Sequence, residues 1–509
     1  MGRLVQVNLI LHISLILLCG LLSQADSRYN TPKDVRIFNS SVEISSLTSP
    51  IHQTRVGSRE IAAIGTGVSD GNDTASQCTL AMFGGDEAAY WACRTEYAFQ
   101  QNWWPSPIAG LFSYQVWNGF DGFWQNGAVL EVLTNFMVYG NNTRYISVVR
   151  SSLRYLYSLL EAYAPQPSYD DMAWYGLSFA RISEVLGDST FLSSAQQIYD
   201  WNWKNGWDTN MNNCHGGMWF DQQVNAKQTI TNVQMMQLGA RLYRLTSSKS
   251  RRQELMSQLN LTINFLVNNH VIDPDTFQVA DGIYLNNCSS NRVYGRTYNS
   301  GVFIGSLVEL YKATNQTNFL NTAHKIANAT MTLSSRHGVL MEYCDAGNET
   351  CNDDAKMFKG IFARNLRYLA DVSDQAHAKL YRDYLAMNMR SLLSSSICEP
   401  TLKKPCNISY RDGRPYHNST GPVFGTRWFG PFNFTSPMQD TSALELLVAN
   451  IAQDTRCHGD GCTYDPPTPP PRPLTCQDHP CPSDEACCAY SDYYTCCTPD
   501  QKCVNGVCE

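Results

Sequence analysis

A turn that recurs along the chain limits what it can fold into. Gly, Asn, Asp or Ser residues are followed by an aromatic or Leu that opens a new helix. The device reads Gly140-Asn141-Asn142-Thr143-Arg144-Tyr145, then Gly187-Asp188-Ser189-Thr190-Phe191-Leu192, then Asn315-Gln316-Thr317-Asn318-Phe319-Leu320. Weaker copies sit at Ser247-Ser248-Lys249-Ser250 and Ser373-Asp374-Gln375. Copies lie about 45–70 residues apart, the span of one helical hairpin per repeat. Before each turn runs a richly apolar segment, such as 123–138, 172–186, 233–245, 302–311 and 361–369. After each turn the pattern is amphipathic, as at 146–160 and 255–267. A helix apolar all round is buried, and one with a single apolar stripe meets water on its other side. The alternation predicts two concentric layers built from five or six hairpins. An α/α toroid satisfies it, and an open solenoid shares the same local pattern.

The flanks read differently. Arg3, an apolar run from Leu9 to Leu22 and Ser23-Gln24-Ala25 have the layout of a secretory signal over residues 1–25. Residues 26–70 form a weakly patterned, Ser/Thr-rich leader, and the helical pattern fills 71–464. Of nineteen cysteines, Cys19 leaves with the signal, and the even remainder suits disulfide pairing in an oxidising compartment. Sequons at Asn39, Asn72, Asn141, Asn260, Asn287, Asn315, Asn328, Asn348, Asn407, Asn418 and Asn433 suit a glycosylated surface. The net charge of -7 and the lack of a Lys/Arg cluster argue against a nucleic-acid partner. No second run approaches the roughly 20 apolar residues of a membrane helix, and no hydrophobic C-terminal tail suggests a lipid anchor. The expectation is a freely secreted monomer.

The proline-rich stretch within 465–475 reads as a semi-rigid spacer. Beyond it, Cys476, Cys481, Cys487, Cys488, Cys496, Cys497, Cys503 and Cys508 crowd residues 476–509 into a disulfide-stapled module. Secretion and the absence of a Cys-x-x-Cys pair disfavour zinc there.

Chemistry concentrates at Tyr169-Asp170-Asp171-Met172-Ala173-Trp174-Tyr175-Gly176-Leu177. Two adjacent carboxylates open a helix with aromatics behind them. Acidic residues in a first turn also complement the helix dipole, so the pair alone fits capping as well as chemistry. Glycosidic cleavage needs one carboxyl to donate a proton and another to trap or stabilise the developing cation. Trp91, Trp124 and Tyr155 fall on apolar faces and read as core. Trp103, Trp104, Trp201, Trp203, Trp207 and Trp219 lie near polar loops, where a sugar cleft and ordinary packing compete as explanations. No metal-ligand spacing, nucleotide loop or Ser-His-Asp signature is present.

Placed in a helical domain, the aspartate pair acquires a context. The chain resembles glycoside hydrolase family 76, the endo-α-1,6-mannanases and their fungal wall relatives, over most of residues 75–455. The resemblance rests on the Asp170-Asp171 segment, then Cys214-His215-Gly216-Gly217-Met218-Trp219 and Lys227-Gln228-Thr229-Ile230-Thr231-Asn232. Thr297-Tyr298-Asn299-Ser300-Gly301 and Phe358-Lys359-Gly360-Ile361-Phe362 follow in the family's order. It implies an all-α (α/α)6 barrel and retaining hydrolysis of internal α-1,6-mannosidic bonds of mannan or mannose-containing glycans, without a cofactor. Asp170 would be the nucleophile and Asp171 the acid/base. Consecutive helical residues diverge by about 100°, so the two carboxylates need not collide. Trp174, Trp219, Lys227, Asn232, Asn299 and Lys359 are expected substrate contacts, though for most of them packing explains the residue nearly as well. The tail resembles a partial granulin module through Cys487-Cys488 and Cys496-Cys497, but has too few cysteine pairs for a full one. Three rivals stay open: a wall transglycosylase using the same pair, a non-catalytic mannan-binding protein, and an interaction protein acting through its tail.

Overall fold

The computed structural model describes residues 78–103, 122–162, 168–345, 351–400, 406–408, 417–419, 421–463 and four short strands between 486 and 508. The expected signal, leader and proline spacer lie outside the described residues.

Twelve α-helices occur among the described residues: α1 (Glu87–Trp103), α2 (Phe123–Tyr139), α3 (Ile146–Ala162), α4 (Tyr169–Leu186), α5 (Ser189–Gly206) and α6 (Thr229–Leu245), then α7 (Lys249–Asn268), α8 (Thr297–Thr314), α9 (Thr317–Leu333), α10 (Ala355–Ala370), α11 (Gln375–Ser395) and α12 (Pro437–Asn450). All five copies of the turn device join an even-numbered helix to the next odd one. The even helices pack in sequence, α2 on α4, α6, α8, α10 and α12, and α12 returns to α2. This closes the inner ring, so the solenoid alternative fails and the fold is an (α/α)6 barrel. The odd helices form the outer layer. The sixth hairpin pairs α12 with α1, elements from opposite ends of the domain, so no turn marks it in the sequence.

Capping separates the turns. Asp188 accepts the amide of Thr190 at 2.8 Å, and Asp374 accepts those of Ala376 and His377. Asn315 ends α8 in the left-handed region at φ 58°, a conformation Asn tolerates better than most residues. Close approach within the inner ring depends on glycine. An added Cβ at Gly301 would stand 2.7 Å from the Cα of Phe362, and one at Gly360 the same distance from the Cα of Ser442.

The inner helices are not apolar throughout, which the hydrophobic pattern did not foretell. Two to four turns in, roughly 12–23 Å from their N-termini at 1.5 Å per residue, all six contribute charged side chains to a largely buried belt. Arg241 of α6 binds Glu131 of α2 at 3.0 Å, and Arg364 of α10 binds Glu445 of α12 at 2.7 Å. Arg244 joins Glu309 of α8 at 2.7 Å and Glu184 of α4 at 2.9 Å. The Tyr368 hydroxyl donates to Glu131 at 2.9 Å. Burial alone would raise Glu131, but Arg364, Arg241 and Tyr368 outweigh it and hold its carboxyl down at about 2.

Disulfides Cys78–Cys93, Cys214–Cys288, Cys344–Cys351, Cys398–Cys406 and Cys457–Cys462 tie the loops. The last one holds a segment stitched to the barrel, where Thr143 donates to the carbonyl of Cys462 and Arg144 to that of Gly461. No helix among the described residues is long and apolar enough to cross a membrane. In the tail, Ala486–Tyr490 pairs antiparallel with Tyr493–Cys497, setting Cys487 across from Cys496, and Cys503 lies across from Cys508.

Candidate active site

Because each repeat is a hairpin, the six inner helices run in one direction and their N-termini meet at one mouth. Free N–H groups and the positive ends of the helix dipoles converge there, a setting that suits carboxylates. Asp170 and Asp171 occupy the first turn of α4. Ser168 holds the N-cap position without a side-chain capping bond. Asp170 is buried and its Oδ1 has no hydrogen-bond partner, whereas Asp171 is half-exposed.

Burial pushes the Asp170 carboxyl up to about 7, against relief from Ser168 and backbone N–H groups, and Asp354 adds to the rise. Burial, then the charge of Asp170, pushes Asp171 well above its ordinary range, again with a contribution from Asp354. Two carboxyls so placed resist ionising together. One can stay protonated while the other is charged.

The wall beside the pair is aromatic. Trp174 is buried and packs against Trp124 of α2 with ring centroids 5.3 Å apart. Trp124 lies 6.3 Å from Phe358, which stacks on Tyr298 at 3.8 Å and an interplanar angle of 4°. The two tryptophans thus exchange their expected places. Trp124, read as core, is half-exposed at the mouth, and Trp174, read as a sugar contact, is behind it. Trp91, also read as core, is half-buried beside Arg94, and the side chain of Tyr155 lies outside the described residues.

The remaining expected contacts are largely committed to protein partners. The Lys227 ammonium is buried and donates to Asp208 at 2.8 Å and to the carbonyls of Asn213 and Gly216 at 2.7 Å. Its Nζ sits 4.5 Å from the ring centre of the half-buried Trp219. Asn232 accepts the amide of Met218 at 2.8 Å, pinning the same loop to α6. Gly217 has φ +93°, and a Cβ there would stand 2.4 Å from the ring of Phe265, so the double glycine serves a tight turn. Lys359 is buried, paired with Asp345 and donating to the Thr426 carbonyl at 2.8 Å. These three polar side chains brace loops around the mouth. Asn299 donates to Asp281 at 2.9 Å but leaves its buried Oδ1 unpartnered. Among the loop tryptophans, Trp103 is buried at the end of α1, while Trp203 and Trp207 stack on each other 4.4 Å apart at the outer layer. Trp104 lies outside the described residues.

Several groups at the mouth had no signal strong enough to single them out. Asp354, just before α10, accepts the indole N–H of Trp124 at 2.8 Å and the side-chain amide of Gln125 at 2.9 Å. Asp281 pairs with Arg296 at 3.0 Å, and Arg296 lies over Tyr343, which is 40% exposed. One clue was available: polar residues in or just before the first turn of an inner helix lie at the same mouth as Asp170. Asn352-Asp353-Asp354 and Trp124-Gln125-Asn126 fit that rule.

Comparison with known proteins agrees with this geometry. A sequence model of glycosyl hydrolase family 76 matches residues 86–457. The mannan endo-1,6-alpha-mannosidase DCW1 of Candida glabrata is 23% identical over 345 residues, covering 64% of this chain and 71% of that protein. An alpha-1,6-mannanase of Salegentibacter sp. HEL1_6 superposes with TM-score 0.58 at 20% identity, covering 72% of this chain and 99% of its own. That structure is an inactive variant, with two consecutive aspartates replaced by asparagine, in complex with alpha-1,6-mannotriose. Dfg5 of Chaetomium thermophilum, in complex with glucosamine, superposes with TM-score 0.56 at 17% identity, covering 72% and 90%. At these identities the superpositions establish the shared barrel.

Proposed function

The chain belongs to glycosyl hydrolase family 76, and from that premise we propose that it is a secreted endo-acting glycosidase cleaving internal α-1,6-mannosidic bonds of mannan with retention of configuration. One observation carries the reading. A pair of consecutive aspartates, Asp170 buried and Asp171 half-exposed, opens an inner helix at the mouth of this barrel. A mannanase of the same fold is inactive when two consecutive aspartates are replaced, yet holds α-1,6-mannotriose.

The roles are those the family resemblance implies for the two positions. Burial raises both carboxyls, and two such groups side by side favour one charged and one protonated. Asp170 attacks the anomeric carbon as the glycosidic C–O bond breaks. The Asp171 proton passes to the departing oxygen, leaving a mannosyl ester on Asp170. Asp171, now a base, takes a proton from water, whose oxygen attacks the same carbon and frees Asp170. The half-exposed face of Trp124 suits stacking against a mannose ring. Lys227, Asn232 and Lys359 support the cleft indirectly through the loops they brace. The cysteine-rich tail, on its proline spacer, is read as a separate appendage that the chemistry does not require.

Product analysis on linear α-1,6-mannan tests the reading. Short oligomers released in the α configuration are the expected outcome. Inverted products would overturn the double displacement. Products longer than the starting oligomers would transfer the assignment to a transglycosylase, and binding without cleavage to a lectin-like protein.

A further inference from the structure

Asp354 stands at the N-cap position of α10, where an aspartate ordinarily accepts an amide of the first turn. Its side chain makes no such bond. The side chain of Asn352 takes the amide of Ala355 instead, at 2.9 Å. The Asp354 carboxylate reaches across to α2, where the same oxygen accepts the Trp124 indole at 2.8 Å and the Gln125 amide at 2.9 Å. A capping residue turned away from its own helix toward a catalytic mouth is employed for something other than helix stability. The loop that delivers it is clamped by Cys344–Cys351 and by Lys359 bound to Asp345.

We propose that Asp354 is a positioning residue of the reaction: it fixes the Trp124 ring and Gln125 at the cleft wall, and its negative charge near Asp170 and Asp171 keeps the proton donor loaded. The inference rests on the glycosidase reading above. The groups sharing this field are Asp170, Asp171 and Tyr175 from α4, Tyr298 from α8, and Asp281, Arg296, Glu342 and Tyr343 from the adjoining loops. Asp353 is paired with Lys356 at 2.5 Å. Arg296 is engaged by Asp281 at 3.0 Å. Asp354 is the carboxylate that raises both members of the pair from another helix. A like charge nearby disfavours ionisation. Removing it therefore lets Asp171 lose its proton at lower pH.

The test compares wild type with Asp354→Asn and Asp354→Glu, using linear α-1,6-mannan and an α-mannoside with an activated leaving group. In Asp354→Asn both limbs of the kcat/KM profile should move toward acid by up to about one unit, as expected for a lost neighbouring charge. Turnover of mannan at neutral pH should fall by up to about tenfold, with the activated substrate spared because it needs no proton. Asp354→Glu should restore the wild-type limbs. An unmoved profile in folded Asp354→Asn overturns the proposal. If that variant misfolds, Asp354→Ser supplies the uncharged comparison. Carboxyl NMR titration of the pair separates the two readings, since it needs no turnover. A lower midpoint without Asp354 upholds the proposal even if wild type cuts no mannan, and an unchanged midpoint defeats it even if mannan is cut.

Discussion

The same barrel treats buried carboxylates in two opposite ways. At the mouth, burial pushes Asp170 up, burial and the charge of Asp170 push Asp171 up, and Asp354 adds to both. Two to three turns deeper, Glu131 is held down at about 2 and Glu309 is also lowered, because arginines from neighbouring helices outweigh the same burial. Glu445 marks the boundary between the regimes. Burial outweighs its one close partner, Arg364, and its carboxyl rises to about 8. Depth in the protein therefore does not decide whether a carboxyl is charged. The number of cations turned toward it does. The belt uses its charges to register six helices around an axis, whereas the mouth leaves its charges poorly compensated so that a proton can move.

Asp170→Asn should break this contrast most sharply. Turnover should fall by at least about 10^4-fold, since the residue assigned as nucleophile is gone. The fold should gain stability at neutral pH. A carboxyl whose folded pKa is raised from 3.8 to about 7 costs stability once the pH exceeds the unfolded value. An asparagine removes that cost, on the order of 1–3 kcal/mol by the usual scale of such changes. Kinetics together with denaturant unfolding check both, and a destabilised variant would contradict the environment described for the mouth.

Arg241→Ala should do the reverse. It removes the closest cation from Glu131 and weakens the hold on Glu309, so a loss of about 3–5 kcal/mol is expected from breaking a buried pair. The same unfolding experiment reads it, and a near-neutral change would show that the belt is dispensable.

A pH titration produces the mildest effect and separates the two regions in one sample. As pH falls through about 7, Asp170 gains a proton and kcat/KM should decline. Glu131 has a folded pKa below its unfolded one, so its stabilisation is present above about 4.5 and is lost only as pH falls toward 2. Activity should therefore vanish over a range in which circular dichroism still reports folded helix. Coincident loss of both signals would erase the distinction.

Much of the architecture was legible along the chain. Every copy of the turn device joins an inner helix to an outer one, because capping and hydrophobic periodicity act within a few residues of each other. The aspartate pair was legible for the same reason, since both carboxyls belong to one helical turn. The sixth hairpin was not, because α12 and α1 are joined by packing instead of a turn.

The sequence by itself determined the helices, their order, their inner or outer face and the position of the adjacent aspartates, all of which follow from neighbours in the chain. Tertiary structure alone decided which tryptophan reaches the mouth and that Lys227 and Lys359 spend their charges on loops. It also decided that Asp354 meets Trp124 across 230 residues and that six helices share a charged belt. The physical reason is the closure of the ring. A side chain's exposure and protonation are set by the helices on either side of it, and those neighbours exist only once the barrel has closed.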